Sequence, residues 1–211
     1  MLIDMRAMRQ RKRQAGFSLI ELMIGLAIFG VLLAVGMPAF RSYSLNAKVL
    51  ASAQSLFSGL QRARGEAIRL NTPVQLILTE NPAINNPNIT DFSATGRNWI
   101  VRSFNRGTGI YDLVDAKSGA EGGSTGSVNV SATDAASSPL TTVEFNGLGG
   151  TTLTGVATIA FLPAEGTCAT PTTPSDLRCI SVIVTPGGRS QICDPTIAST
   201  ATSDTRRCIA S

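Results

Sequence analysis

The sequence contains no histidine in its 211 residues. Serine–histidine triads, cysteine–histidine dyads and histidine-ligated zinc sites are therefore excluded. The remaining acids and nucleophiles form no recognisable catalytic constellation, so we expect a protein that is not an enzyme and that uses no cofactor or metal. Aromatic residues make up only 5% of the chain, whereas there are 20 glycines. This composition favours a loop-rich β domain over a dense enzyme core.

The cysteines are few, and the absence of a CxxC pair disfavours a zinc knuckle or a thioredoxin-type redox site. All four lie in the last 44 residues, at Cys168, Cys179, Cys193 and Cys208. An even number of cysteines in a chain that looks exported predicts two disulfides in an oxidising compartment. Three pairings are open, and we favour the one between sequence neighbours, Cys168 with Cys179 and Cys193 with Cys208.

The net positive charge is confined to the amino-terminal leader, residues 1–16. The leader carries the same net charge as the whole chain, +4, because five basic residues oppose Asp4: Arg6, Arg9, Arg11, Lys12 and Arg13. The rest of the chain is neutral. Its charge therefore gives no reason to expect that the folded part attracts nucleic acid.

An almost unbroken apolar run follows the leader, from Phe17 to Phe40. As a helix it would be ~36 Å long, enough for a hydrocarbon core of roughly 30 Å. The basic leader predicts that the N-terminus stays cytoplasmic and that the C-terminal part is translocated. The run is too long for a secretory signal, and a plain anchor has no use for Glu21, because a carboxylate at that depth is costly unless paired. A cut before Phe17 would expose an amino group that Glu21 of a neighbouring subunit could neutralise.

The residues around that point, Ala15-Gly16-Phe17-Ser18-Leu19-Ile20-Glu21, resemble the cleavage site of type IV prepilins and type II secretion pseudopilins. The resemblance implies that a dedicated peptidase cuts after Gly16 and methylates the new terminus at Phe17. It also implies that Glu21 registers the subunit in a filament. Pro38 falls where these proteins commonly bend their helix.

A one-sided apolar stripe continues beyond Pro38 and predicts an amphipathic helix over residues 41–71, ended by Pro73. The stripe consists of Leu45, Val49, Ala53, Leu56, Leu60, Ala63, Ala67 and Leu70. It is expected to pack on a sheet, while four charged residues should face solvent: Arg62, Arg64, Glu66 and Arg69. Residues 56–74 resemble the helix end of the FimT/FimU/GspH branch of minor pilins, through Ala63-Arg64-Gly65-Glu66-Ala67-Ile68 and Asn71-Thr72-Pro73.

Residues 72–211 are expected to form a β-rich domain. Short β-branched runs separated by turn residues predict antiparallel strands, at Val74–Leu78, Trp99–Phe104, Thr141–Phe145, Ala157–Phe161, Ile180–Val184 and Arg189–Cys193. Residues 81–98 and 115–139 are long and poor in apolar residues, and the second is interpreted as a flexible excursion with a short strand at Val128–Val130. Trp99, the only tryptophan, is expected in the core.

The last two strands form a hairpin around Pro186-Gly187-Gly188. This hairpin resembles the final one of the FimT/FimU/GspH domain, where a Gly-Arg pair follows the turn. In DNA-uptake members the motif is Gly-Arg-x-Arg, but here Gly188-Arg189 is followed by Ser190-Gln191, so the second arginine is missing. Arg206 and Arg207 could add charge beside Arg189 if a Cys193–Cys208 bond folds the tail back.

The resemblance implies an α+β fold of the type IV pilin kind, with a long N-terminal helix packed on an antiparallel β-sheet domain. It implies a minor pilin that helps prime and assemble a type IV pilus, at or near its tip. One alternative is an H-type pseudopilin of a type II secretion system, and another is a DNA-binding minor pilin for natural transformation. Expected partners are other minor and major pilins, the prepilin peptidase and the inner-membrane assembly platform. The expected location is the inner membrane, as a single-pass protein with a periplasmic C-terminal domain, and then the filament.

Overall fold

The computed structural model describes residues 17–119, 126–170, 172–197 and 203–208, apart from the side chains at positions 35, 38 and 39. Its contacts divide the chain into two compact units, Met1–Phe40 and Arg41–Ser211. The leader, which ends at Gly16, lies outside the described residues. The second unit, which we call the head, contains all the strands and the part of the helix that packs on them.

One long helix, α1, runs from Leu19 to Leu70. It begins after Ser18, whose Oγ accepts the backbone N–H of Glu21 at 3.2 Å. A serine followed three residues later by a glutamate is typical of a helix N-terminus, because the serine satisfies an otherwise unpaired N–H group. In the described part of the chain we find no helix that is both long enough and apolar enough to span a membrane. The helix continues through position 38, and the expected bend at Pro38 stays a prediction.

The carboxyl end of α1 is closed by a hydrogen-bonded cap. Asn71 adopts a positive φ of 49°, its N–H donates to the Ile68 carbonyl at 3.4 Å, and the N–H of Thr72 donates to the Ala67 carbonyl at 3.3 Å. These two bonds form the Schellman arrangement, in which an asparagine can take the left-handed position. Pro73 follows and cannot continue the helix. The predicted end of the helix is confirmed.

The predicted stripe is buried over most of its length. Six of its members are at most 1% exposed: Val49, Ala53, Leu56, Leu60, Ala63 and Ala67. The two ends differ, because Leu45 is half-buried and Leu70 is 38% exposed. Arg64 and Glu66 are half-buried rather than solvent-facing, which corrects the expectation for these two residues. Arg64 donates to the Gly149 carbonyl at 3.0 Å, and Glu66 pairs with Arg69 of the same helix.

In the described residues, eight antiparallel strands form two four-stranded sheets. The first sheet has the order β3-β2-β1-β5 and the second the order β4-β6-β7-β8. The strands are β1 Val74–Thr79, β2 Asn98–Asn105, β3 Ile110–Lys117, β4 Val128–Thr133, β5 Thr142–Phe145, β6 Ala157–Pro163, β7 Ile180–Val184 and β8 Ser190–Cys193. All six predicted strands are confirmed, and so is the α+β class with its long helix on antiparallel strands.

Both sheets share one core with α1. The buried helix stripe lies in the same apolar cluster as Leu76 and Val101 of the first sheet and Ile159 and Val182 of the second. Trp99 is 6% exposed in this cluster, as expected. It fits because Gly59 has no side chain: a Cβ there would lie 3.0 Å from the Trp99 ring. The indole N–H donates to Ser55 Oγ at 3.3 Å.

The interpretation of residues 115–139 as an excursion is wrong at its start, where β3 extends to Lys117. The short strand expected at Val128–Val130 is confirmed, although β4 is longer, Val128–Thr133. β3 has no regular alternation because its pairing with β2 shifts between Val101 and Arg102, and such a bulge moves side chains to the opposite face. The segment between β1 and β2 carries no strand, as its composition suggested.

Candidate functional site

The predicted processing end lies at the start of α1. Phe17 is 83% exposed, and Glu21 is an exposed acid in the first helical turn. A carboxylate in the first turn interacts favourably with the helix dipole, so Glu21 is compatible with this position before any partner binds. Gly16 lies outside the described residues. The roles of Gly16, Phe17, Glu21 and Pro38 in processing and assembly remain predictions.

The hairpin that carries Arg189 turns at Gly187-Gly188. Thr185 closes it, since its carbonyl accepts the N–H of Gly188 and its own N–H donates to the carbonyl of Arg189, both at 2.9 Å. Gly188 has a φ of +78°, a conformation that favours glycine. Space requires glycine as well, because a Cβ at this position would lie 1.8 Å from the Gly149 carbonyl oxygen.

Gly188 therefore belongs to a junction of three segments. The β5–β6 loop supplies Gly149, the β7–β8 turn supplies Gly188, and α1 supplies Arg64, whose Nε donates to the Gly149 carbonyl at 3.0 Å. The loop also joins the turn directly, through the N–H of Thr151 and the carbonyl of Pro186 at 2.8 Å. We call these contacts the helix–loop–turn junction. It explains two features singled out in the sequence, the arginine of the helix motif and the glycine before Arg189.

Arg189 is exposed and is linked to the tail through Gln191. Its Nη2 donates to Gln191 Oε1 at 3.2 Å, and Gln191 Nε2 donates to the Thr205 carbonyl at 2.8 Å. The residue that replaces the second arginine of the DNA-uptake motif therefore connects the hairpin to the tail.

Two disulfides are present, and each joins sequence neighbours: Cys168 to Cys179 and Cys193 to Cys208. The second folds the tail back onto the edge of β8. There the N–H of Asp194 donates to the Arg206 carbonyl at 2.7 Å, and the backbones of Asp194 and Arg207 form an isolated parallel β-bridge. The fold thus brings all three arginines of the DNA hypothesis to one edge of the second sheet.

Acidic side chains reduce the positive charge of that edge. Arg206 Nη2 lies 2.9 Å from Asp204 Oδ2. The hydrogen bonding between the two side chains lowers the pKa of Asp204 and raises the pKa of Arg206. Asp194 adds a second carboxylate to the same edge. Three arginines with two acids leave a small excess of positive charge at this edge. The Arg206–Asp204 pair itself contributes little to stability, because it lies on the surface.

The outer face of the first sheet holds a buried arginine that the sequence did not reveal. Arg102 on β2 is 6% exposed, and burial lowers its pKa. Its Nε donates to Gln75 Oε1 at 3.0 Å, and its Nη1 donates to the carbonyls of Pro87 at 2.7 Å and Ile89 at 3.3 Å. Its Cζ atom lies 3.9 Å from the centroid of the Tyr111 ring. Arg102 thus attaches the β1–β2 loop to the sheet.

A groove of about 1100 Å³ lies between α1 and the sheets, near Trp99 and Val130. Its charged groups are engaged with neighbours: Lys48 Nζ donates to Ser127 Oγ at 3.2 Å, and Asp115 pairs with Arg62 at 3.4 Å. Among the described residues, no three cysteine, aspartate or glutamate side chains come together as metal ligands could.

A long amino-terminal helix with an acid in its first turn, packed on a head of antiparallel strands, defines the class of type IV pilin-like filament subunits. The chain belongs to the family described as Type II transport protein GspH, whose family model matches residues 52–191. The model of the prokaryotic N-terminal methylation motif matches residues 11–37. The predicted resemblance to FimT/FimU/GspH-type minor pilins is confirmed. Members of this family are structural pilins and not enzymes, and they assemble with other pilins or pseudopilins.

Three individual proteins show the degree of similarity. The chain is 31% identical over 98 residues to fimbrial protein Q of Moraxella bovis, a match that covers 46% of this chain and 62% of that protein. The fold is similar to the type IV minor pilin FimU of Pseudomonas aeruginosa, with a TM-score of 0.50, 14% identity and coverage of 75% and 97% of the two chains. The minor pseudopilin EpsH of the Vibrio cholerae type 2 secretion system aligns with a TM-score of 0.45 and 12% identity, over 71% of this chain and 99% of that chain.

Proposed function

We propose that this minor pilin helps to prime and assemble a type IV pilus and that it sits at or near the filament tip. The observation that carries the proposal is the arrangement along α1. The methylation motif covers residues 11–37, and the same helix continues into the head, where residues 49–67 supply one side of the core. One end of the helix is therefore suited to packing in a filament, and the other holds a folded head. The name of the Moraxella relative, a fimbrial protein, favours the pilus.

The proposed sequence of events begins in the inner membrane. The chain inserts with its leader in the cytoplasm and its head in the periplasm, since the leader is basic and the following run is apolar. The prepilin peptidase cuts after Gly16 and methylates Phe17, and the assembly platform then moves the subunit into the filament. Loss of the leader removes the net charge of +4. The new amino group of one subunit and the Glu21 carboxylate of its neighbour are of opposite charge, and their pairing offsets the cost of placing either in an apolar filament core.

Deletion of the gene in its host, with complementation by variants, tests this proposal. We expect the deletion strain to lose most of its surface filaments while secretion of folded proteins is unchanged. Wild-type protein should restore the filaments, but Glu21→Gln should not, because the amide cannot neutralise the amino group. Asp91→Asn removes an exposed carboxylate of the head and serves as the matched control, which should restore them fully. Filaments are counted by electron microscopy, and secreted proteins are measured in the medium.

The second candidate function is the H-type pseudopilin of a type II secretion system. The observation that favours it is the description of the matched family, a type II transport protein. The same deletion strain distinguishes the two, since loss of secretion with normal filaments would support the pseudopilin and contradict the pilus assignment.

DNA binding is the alternative from a different class of function. Non-specific DNA affinity grows with the number of phosphate contacts. Here Arg189 and Gln191 stand where DNA-uptake relatives have two arginines, and Arg206 is paired with Asp204. Two of the cations that the hypothesis needs are therefore missing or neutralised, and we favour the assembly role.

A further inference from the structure

The loop between β6 and β7 is closed by a disulfide and held by its own hydrogen bonds. Its described residues are 164–170 and 172–179, and we call it the Cys168–Cys179 loop. Within it, the N–H of Ala169 donates to the Leu177 carbonyl at 2.7 Å, and Ser175 Oγ donates to the Thr167 carbonyl at 2.8 Å. The disulfide joins the outgoing and returning arms of the loop. The two arms therefore hold a fixed spacing as long as the bond is intact.

Both arms contact the first turns of α1 within the head. Asn46 uses the two ends of its side-chain amide: Nδ2 donates to the Asp176 carbonyl at 2.7 Å, and Oδ1 accepts the N–H of Arg178 at 2.8 Å. The amide thus pairs with the returning arm as a neighbouring strand would. On the outgoing arm, Glu165 forms an ion pair with Arg41. One helix segment therefore contacts both arms, and the returning arm holds it more firmly because the Arg41–Glu165 pair is exposed and such pairs contribute little to stability.

Outside the loop, this helix segment is also held by Lys48, which donates to Ser127 Oγ at 3.2 Å, but it buries little apolar surface. Burial of the apolar stripe begins only at Val49, and in residues 41–48 Leu45 is half-buried. Asparagine is a weak helix former because its side chain competes for backbone hydrogen bonds. Its presence at position 46 is explained by the two bonds to the loop and not by the helix itself.

We propose that the Cys168–Cys179 loop is a disulfide-dependent clamp that holds residues 41–48 of α1 against the rest of the head. A dithiol reductant opens it: the reductant gives two electrons and two protons, the S–S bond becomes two thiols, and the reductant becomes a disulfide. The two arms then keep only their hydrogen bonds to one another, and the helix segment opens more often. Oxidation in the compartment outside the cytoplasm therefore fixes residues 41–48 against the rest of the head. The inference goes beyond the proposed filament role, because every contact it uses lies within this chain.

Hydrogen exchange of the full-length protein in detergent micelles, followed by mass spectrometry, tests the clamp. Asn46→Ala removes both amide bonds but improves intrinsic helix propensity. Without a clamp, the amides of residues 42–50 would exchange at the same rate or more slowly. The clamp predicts roughly three- to tenfold faster exchange there, the effect of losing about one net hydrogen bond. The Cys168→Ser/Cys179→Ser variant should accelerate the same amides.

Two control variants and an internal reference make the result decisive. Gln54→Ala changes an exposed amide on the same helix, and Cys193→Ser/Cys208→Ser removes the other disulfide; neither should alter residues 42–50. The amides of β1, residues 74–79, report whether each variant remains folded. If the Cys168→Ser/Cys179→Ser variant loses their protection, dithiol reduction of the Cys193→Ser/Cys208→Ser variant, which keeps only the Cys168–Cys179 bond, takes its place. Unchanged exchange of residues 42–50 in Asn46→Ala would overturn the proposal, and so would unchanged exchange there after loss of the Cys168–Cys179 bond, or an equal acceleration on loss of the Cys193–Cys208 bond.

Discussion

Substitution of Gly188 by alanine is expected to lower the free energy of unfolding by about 3 kcal/mol. The expectation combines two effects. The residue has a φ of +78°, which strains any residue that carries a Cβ. In addition, the new Cβ would lie 1.8 Å from the Gly149 carbonyl oxygen, whereas unstrained carbon–oxygen contacts begin at about 3.3 Å.

The clash cannot be relieved by a side-chain rotation, because the backbone of residue 188 fixes the position of the Cβ and the oxygen is itself a backbone atom. The Gly149 carbonyl is also fixed by Arg64 Nε at 3.0 Å, so a shift of the β5–β6 loop breaks the bond that attaches it to α1. The whole helix–loop–turn junction is therefore disturbed by one methyl group.

Gly187→Ala is the matched control. A Cβ at position 187 would have no neighbour closer than Thr185 Oγ1 at 4.0 Å, so its effect should stay within about 0.5 kcal/mol. Denaturant unfolding of the detergent-solubilised protein measures both variants through the fluorescence of Trp99, the only tryptophan, which lies on β2 and is buried against α1. Equal stability of the two alanine variants would show that the junction does not constrain the turn.

Replacement of Arg102 by methionine should cost about 3 kcal/mol. Methionine keeps much of the apolar stem but donates no hydrogen bond. It leaves the Pro87 and Ile89 carbonyls without the donor that now serves them, and an unpaired buried acceptor is costly. It also removes the cation from the face of Tyr111, 3.9 Å from the ring centroid. The β1–β2 loop should consequently detach from the sheet before the core unfolds.

Arg102→Lys separates charge from geometry. A lysine retains the positive charge but cannot contact Gln75 and the loop carbonyls with one planar group, so we expect it to recover less than half of the lost stability. Arg106→Met, at an exposed position on the β2–β3 turn, should be nearly neutral. Unfolding by denaturant gives the stability, and hydrogen exchange of residues 81–92 gives the attachment of the loop. A neutral Arg102→Met variant would mean that the loop is held by its apolar residues alone.

The sequence predicted those features that depend on local pattern. The stripe from Val49 to Ala67 repeats at helical spacing, so the buried face and the end of the helix before Pro73 could be read directly. The strands with β-branched runs could be located for the same reason. β3 could not, because its bulge interrupts the alternation on which strand prediction depends. The pattern likewise gives no information on whether eight strands form one sheet or two.

The roles of individual polar residues depend on contacts between distant segments. Arg64 was expected on the solvent side of the helix, yet it bonds to a loop 85 residues later in the chain. Arg102 appears in the sequence as a charge within a strand, and only the fold brings the Pro87 and Ile89 carbonyls and the Tyr111 ring around it. Gly188 was singled out by the hairpin motif, but the oxygen that excludes a Cβ belongs to the separate β5–β6 loop. Composition and spacing do not determine such contacts.

The mass of the amino-terminal peptide of protein purified from its native host tests the central claim most directly. If the chain is a processed pilin subunit, its first residue is Phe17, with one methyl group on the amino nitrogen. A Gly16→Glu variant, in which the residue before the cut is charged and bulky, should then accumulate with its leader attached. A wild-type protein that retains Met1, or that begins at another residue of the apolar run, would contradict the account.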